Sequence, residues 1–230
     1  MRDFLQGDNF RKGLWLSLIC LLLVIPYILW AYYVSSAEYV GKTLAEEKVR
    51  SYLFLDIFKI WVAMQISATA GYAWAKKPWL TGAGSLNEYA KSIPLIVFFG
   101  IGIAAIEILV FDFRLLATLM KIEAVNPFLS GRYVAQELIL RFGIMSIAFR
   151  LLRSVPVAII ISAVFDCVLM LEGALSLDVP LPNGLLAIAL SKGTVMALFY
   201  GYLCAKRGLI ADMSVRFLVG MKVFVYLLLR

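Results

Sequence analysis

The chain has 230 residues, of which 63% are hydrophobic and only 16% carry a charge, and its mean hydropathy is +0.90. Soluble proteins are close to half apolar and about 25% charged. The excess of apolar residues must therefore face lipid, which excludes a water-soluble globular protein. The net charge of +7 predicts contact with anionic lipid headgroups rather than with nucleic acid, because the basic residues cluster in short connections between apolar segments.

The absence of histidine excludes several kinds of catalytic site. A Ser-His or Cys-His nucleophile pair, an HExxH zinc site and an imidazole proton relay all require it. The three cysteines, Cys20, Cys167 and Cys204, lie far apart inside apolar segments and form no CxxC motif. Such cysteines are typical of small apolar core residues. The sequence thus predicts neither a metal site nor another cofactor.

Apolar segments of about 20 residues, the length that crosses a bilayer, recur along the whole chain. The first, Leu14–Val34, contains Pro26 and is interpreted as a retained span rather than a cleaved signal peptide. The others follow at Tyr52–Trp74, Ile93–Phe111, Arg132–Leu152, Val155–Met170, Leu185–Cys204 and Leu209–Leu229. The pattern predicts an all-α, polytopic transmembrane helical bundle of about seven spans, within a range of about six to eight. Residues 1–92 would supply two N-terminal spans, and residues 93–230 a helical core.

The loops predict a multi-pass protein whose N-terminus lies in the cytoplasm. In this orientation more lysines and arginines lie in cytoplasmic loops than in outside loops, as the positive-inside rule requires. The connection at 173–187 contains neither Lys nor Arg, which is typical of an outside loop.

Several predicted spans contain charged residues, each of which costs at least about 2.5 to 3.5 kcal/mol at the bilayer centre and so indicates a functional site. Residues three or four apart share a helix face and can form ion pairs. This spacing is found for Asp56 with Lys59, Glu137 with Arg141, and Asp212 with Arg216. Glu107, Asp166 and Lys192 have no such partner, so they must pair with another helix or change protonation state. With Asp212, these three are the main candidates for buried polar groups.

The second half of the chain contains motif-like segments in a defined order. QELILR at Gln136–Arg141 reads as an altered EExxxR helix, and FDCVL at Phe165–Leu169 takes the place of an FxxxH element. A glycine-bearing span and a basic turn follow at Lys192–Met213. RFLVG at Arg216–Gly220 falls where an HxxxN or HxxxD element would lie. Over Ile93–Phe224 this order resembles the CPBP family, the CAAX-protease and bacteriocin-processing (Abi) intramembrane proteases.

The resemblance implies that the catalytic positions are changed in this chain. In the family, the first Glu of EExxxR and the His of FxxxH activate water, and the His and Asn of the last motif stabilise the oxyanion. Those positions correspond here to Gln136, Leu169, Arg216 and Gly220. Gln136 cannot serve as a general base, and Leu169 can neither polarise water nor bind a metal. Arg216 could donate to an oxyanion, but Asp212 is placed to hold it. Glu137 and Arg141 are interpreted as the half of the motif that stabilises the helix.

These observations predict a pseudoenzyme, a protease scaffold that has lost its hydrolytic centre. It would bind a partner helix or a lipidated peptide without cutting it, as a scaffold or regulatory subunit of a membrane complex or as a homo-oligomer, in contact with membrane lipid. Two alternatives stay open. One is a small transporter or channel subunit in which Glu107, Asp166 and Lys192 line a path. The other is a residual intramembrane protease with Glu137 as its base.

Overall fold

The computed structural model describes residues 7–30, 32, 46–75, 86–112, 128–175 and 183–222. Each secondary-structure element in these ranges is a helix. The α-helices are α1 (Gly7–Trp30), α2 (Glu46–Trp74), α3 (Leu86–Ile106), α4 (Leu129–Glu137), α5 (Met145–Leu152), α6 (Val155–Leu175), α7 (Asn183–Arg207) and α8 (Leu209–Gly220). Two π-helical segments extend them, Glu107–Asp112 after α3 and Leu138–Ile144 between α4 and α5. The predicted all-α class is confirmed for the described residues.

Four of the described helices contain segments long and apolar enough to cross a membrane: Gly7–Trp30, Tyr52–Trp74, Lys91–Leu109 and Leu186–Arg207. A shorter apolar segment, Val155–Leu171, lies in α6. Large apolar side chains on these helices are exposed, with Leu22 at 70% and Phe98 at 74%, and lipid is the environment in which such exposure carries no cost. These features support an integral membrane protein. The total of seven spans stays a prediction, and the end of the last predicted span, residues 223–230, lies outside the described residues.

Two short turns set the directions of the C-terminal helices. Arg153, at φ 52°, follows α5 in the left-handed conformation that ends many helices. Pro156 then lies in the first turn of α6, where the missing N–H costs no helical hydrogen bond. Gly208, at φ 89°, separates α7 from α8 in a conformation that residues with a Cβ rarely adopt. Both turns therefore fold adjacent helices back on each other.

The continuous helix formed by α4, the second π-helical segment and α5 lies at the centre of the bundle. It packs against α1, α2, α6 and α8, while α3 packs along α8 and α7 packs along α6. Its core side chains Leu138 and Phe142 are buried with Val24 of α1 and Met64 of α2. Gly143 permits the close approach of α2, because a Cβ at this position would lie 2.9 Å from the Cα of Ser67. This central helix therefore carries its polar side chains into the interior of the bundle.

Candidate functional site: a buried charged cluster beside a cavity

Five charged side chains meet in the interior of the bundle and form what we call the charged cluster. It consists of Glu137 from α4, Arg141 from the second π-helical segment, Asp166 from α6, and Asp212 and Arg216 from α8. Glu137, Arg141 and Asp212 are 0% exposed, and Asp166 is 1% exposed. Burial of this many charged residues requires that they compensate one another.

Arg141 holds the centre of the charged cluster. Its Nε lies 3.1 Å from Oε2 of Glu137, and its Nη2 donates to Oδ2 of Asp166 at 2.7 Å. Its Nη1 donates to the hydroxyl of Ser162 at 2.5 Å, and Ser162 in turn donates to the carbonyl of Leu140 at 3.0 Å. Each guanidinium nitrogen thus lies within 3.1 Å of a partner oxygen, a set of contacts that Lys could not make from a single ammonium group. The predicted pairing of Glu137 with Arg141 is confirmed.

The π-helical geometry begins immediately after Glu137 and includes Arg141. Insertions of this kind widen a helix locally and often occur at functional sites. Here the segment carries Arg141, which contacts Asp166 of α6, while Glu137 directly before it contacts Arg216 of α8.

Arg216 connects the charged cluster to the cavity described below. Its Nε lies 3.2 Å from Oε1 of Glu137, and its Nη2 lies 3.9 Å from Oδ1 of Asp166. Its guanidinium carbon lies 4.7 Å from the ring centroid of Tyr133 and 4.5 Å from that of Tyr200, distances typical of cation–π contacts. The side chain remains 13% exposed. Arg216 is therefore fixed on several sides while part of it stays accessible.

Asp212 differs from the pairing expected from its spacing with Arg216. Arg216 extends across to α4 and α6, because the two carboxylates of Glu137 and Asp166 attract its guanidinium group more strongly than the single carboxyl group of Asp212 does. Asp212 instead contacts the carboxyl group of Glu137. Neither of its oxygens accepts a hydrogen bond from the residues that the structure describes.

A cavity of about 710 Å³ lies beside the charged cluster. Three of the four changed motif positions, Gln136, Leu169 and Arg216, line it. Its polar lining includes Asp166, to whose Oδ1 the amide nitrogen of Gln136 donates at 2.5 Å. Apolar residues from several helices complete the wall, among them Val24, Ile60 and Met196.

Gly220, the fourth changed position, and Phe165, the first residue of the FxxxH-like segment, lie away from the cavity wall. Gly220 packs against α4, since a Cβ there would lie 2.8 Å from the Cα of Ser130 and 3.0 Å from the ring of Tyr133. Phe165 is 50% exposed on α6. Gly220 therefore serves helix packing, and Phe165 faces outward.

A second group of charged side chains, which we call the lysine cluster, lines the same cavity. Oε1 of Glu107, in the first π-helical segment, lies 3.0 Å from Nζ of Lys192 on α7, and Nζ of Lys222 donates to Oε2 at 2.5 Å. Of the two outcomes expected for Glu107, Asp166 and Lys192, a partner on another helix is the one observed. Asp56 and Lys59 also pair as predicted, at 3.5 Å, but on an exposed part of α2.

Sequence reasoning missed three residues of the site. Ser162 lies four residues before Asp166, and Tyr133 lies four before Glu137, so each shares a helix face with a charged residue, which is a usable signal. Tyr200 is fully buried in α7, and its position in an apolar span gave no indication of a contact with Arg216.

Across the described ranges, no group of three or more acidic or cysteine side chains is arranged to hold a metal ion. The two guanidinium groups occupy the space between Glu137 and Asp166. No protein-family model, curated protein or solved structure matches this chain.

Proposed function

We propose that the chain is a non-catalytic integral membrane protein with a CPBP-like scaffold, which binds a segment of a partner membrane protein in its cavity as a scaffold or regulatory subunit. The observation that carries the proposal is the convergence of Gln136, Leu169 and Arg216 on one cavity. These positions are far apart in sequence, and the resemblance relates all three to one reaction centre.

The chemistry at these positions favours binding over hydrolysis. Gln136 has no basic group, and Leu169 is apolar. Glu137, the remaining candidate base, is 0% exposed, and each of its carboxylate oxygens lies against the Nε of an arginine. A general base must reach the proton that it removes, so a residual protease based on Glu137 is the least supported alternative.

The cavity has the dimensions and the mixed lining of a ligand site. Its volume of about 710 Å³ falls within the roughly 300–1,000 Å³ of typical binding pockets. Its lining combines apolar residues with Gln136, Asp166, Arg216 and the charged side chains of the lysine cluster. A membrane segment that carries hydrogen-bonding groups among apolar side chains would match this pattern.

We further propose seven membrane spans with a cytoplasmic N-terminus. The described helical runs support this arrangement, because each of the seven predicted segments overlaps one of them. The distribution of loop lysines and arginines supports the orientation.

Site-specific photo-cross-linking in the native membrane tests the proposed function. A photoreactive amino acid at Met196 would face the cavity, while the matched control at Val195, one residue earlier on α7, is 66% exposed and does not line it. We expect a discrete cross-linked protein at Met196 only, which mass spectrometry would identify. The same products at both positions, or specific peptide cleavage that depends on Glu137, would contradict the proposal.

A transporter or channel subunit is the second candidate, because Glu107, Asp166 and Lys192 all line the one cavity. Charged residues at membrane depth commonly mark an ion or substrate path. Ion flux in proteoliposomes that disappears in Glu107→Gln and persists in Asp56→Asn, whose carboxylate is outside the cavity lining, would support this function. Wild-type protein that carries no flux would reject it.

A further inference from the structure

The charged cluster contains more acidic than basic groups. Its carboxyl groups belong to Glu137, Asp166 and Asp212, and its guanidinium groups to Arg141 and Arg216. With all five ionised, three negative charges would face two positive charges. An uncompensated charge in a buried, low-dielectric site is costly, and a buried group adopts its neutral form instead. One bound proton makes the cluster neutral.

The contacts of each carboxyl group indicate where that proton lies. Asp166 accepts hydrogen bonds from Arg141 and Gln136. Glu137 has an arginine Nε at about 3 Å from each of its oxygens. Both groups therefore have N–H donors or arginine nitrogens beside their oxygens.

Asp212 has no comparable stabilisation. It is 0% exposed, and neither oxygen accepts a hydrogen bond within the described ranges. The titratable and charged groups that face it are Glu137, Arg141, Arg216 and the buried thiol of Cys204. The short contacts of the two arginines are with Glu137 and Asp166. A proton on Asp212 would convert its contact with Glu137 into a hydrogen bond, which satisfies the buried group.

We propose that Asp212 and Glu137 form a proton-binding site, in which Asp212 is a protonated carboxylic acid that donates a hydrogen bond to the Glu137 carboxylate. The site binds one proton and neutralises the charged cluster. It is separate from the cavity surface, since neither residue lines the cavity, and Arg216 is the cluster residue that contacts Glu137 and also lines the cavity.

Infrared spectroscopy of the full-length protein in detergent at neutral pH tests the proposal directly. The carbonyl stretch of a protonated carboxylic acid lies apart from the carboxylate bands. We expect such a band in the wild type, and we expect it to shift when the protein is labelled with ¹³C-aspartate and to stay in place with ¹³C-glutamate. These measurements need no variant.

Substitutions then assign the band to one residue. Asp212→Asn should lose it, while Asp56→Asn, which changes an exposed carboxylate, should retain it. The proposal is overturned if the wild type has no protonated-acid band at neutral pH, if the band shifts only with labelled glutamate, or if it persists in folded Asp212→Asn.

Discussion

Replacing Arg141 with methionine removes the guanidinium group that Glu137, Asp166 and Ser162 share. The side chain is fully buried, and its contacts with the two carboxylates measure 3.1 and 2.7 Å. Removing one partner of a buried ion pair costs about 3–5 kcal/mol, because the other charge stays buried without compensation. Arg216 and Gln136 still contact the two carboxylates, so the loss should stay within this range and not double.

For a chain of this size, about 1 kcal/mol corresponds to a shift in Tm of about 2–4 °C. Arg141→Met should therefore lower the Tm by about 6–20 °C. The Tm of Arg141→Lys should lie between that of Arg141→Met and that of the wild type, since lysine keeps the charge but cannot contact all three partners at once.

The buried cysteines provide the assay. Cys20 and Cys204 are 3% and 0% exposed, so a thiol-reactive fluorescent dye in detergent reports unfolding as they become accessible. A Cys167→Ala background removes the partly exposed thiol that would react before unfolding.

Lys59→Met is the matched control for the Arg141 experiment. The ion pair of Lys59 with Asp56 spans 3.5 Å, and the two side chains are 64% and 42% exposed, so its loss should cost about 0–1 kcal/mol. If Arg141→Met lowers the Tm no more than Lys59→Met does, the central role of Arg141 is refuted. The double variant Arg141→Met, Glu137→Gln should lose less stability than the sum of the two single variants. In Arg141→Met the Glu137 carboxylate has lost its Arg141 partner, and Glu137→Gln removes that charge.

Three further predictions use the same thermal assay. Asp212→Asn should keep a Tm within a few degrees of the wild type, since a neutral amide can still donate to Glu137; a loss as large as that of Arg141→Met would indicate that Asp212 is ionised. Glu107→Gln should lower the free energy of unfolding by about 1–3 kcal/mol, because it neutralises the carboxylate that both lysines of the lysine cluster contact. An unchanged Tm would contradict this. Gly143→Ala should lower the free energy of unfolding by about 1–3 kcal/mol, because the added Cβ overpacks against Ser67. The control Gly102→Ala has open space at its Cβ position and should be neutral or slightly stabilising. Equal effects of the two changes would refute the packing argument.

The positions of the helices follow from apolar segments alone, but their ends do not. The predicted segment at Leu14–Val34 corresponds to α1, which begins at Gly7. The additional turns are polar and contain an exposed ion pair of Asp8 with Lys12 at 2.6 Å. Hydropathy detects the part of a helix that faces lipid, whereas the helix continues as long as its backbone hydrogen bonds and local side-chain pairs support it.

Two of the three charge pairs expected within one helix could be predicted from spacing, and the pairs between helices could not. The separation of Glu137 and Arg141 by four residues placed them on one face, and the structure has them in contact. The contacts of Asp166 with Arg141 and of Arg216 with Glu137 depend on how α4, α6 and α8 pack. For Asp212 and Arg216 the spacing was misleading, because two carboxylates on neighbouring helices compete for the same guanidinium group.

Under the proposed function, the arrangement around Arg216 favours binding over cleavage. The guanidinium carbon lies 4.7 Å from the ring centroid of Tyr133 and 4.5 Å from that of Tyr200, and the Nε contacts Glu137. It therefore stands between the buried carboxylate and the cavity that it lines. A water molecule in the cavity would meet the N–H groups of Arg216 and the apolar side chain of Leu169, and would not reach the oxygens of Glu137. N–H donors beside apolar side chains suit a ligand that carries a hydrogen-bond acceptor, and the proposed function expects a ligand of this kind in the cavity.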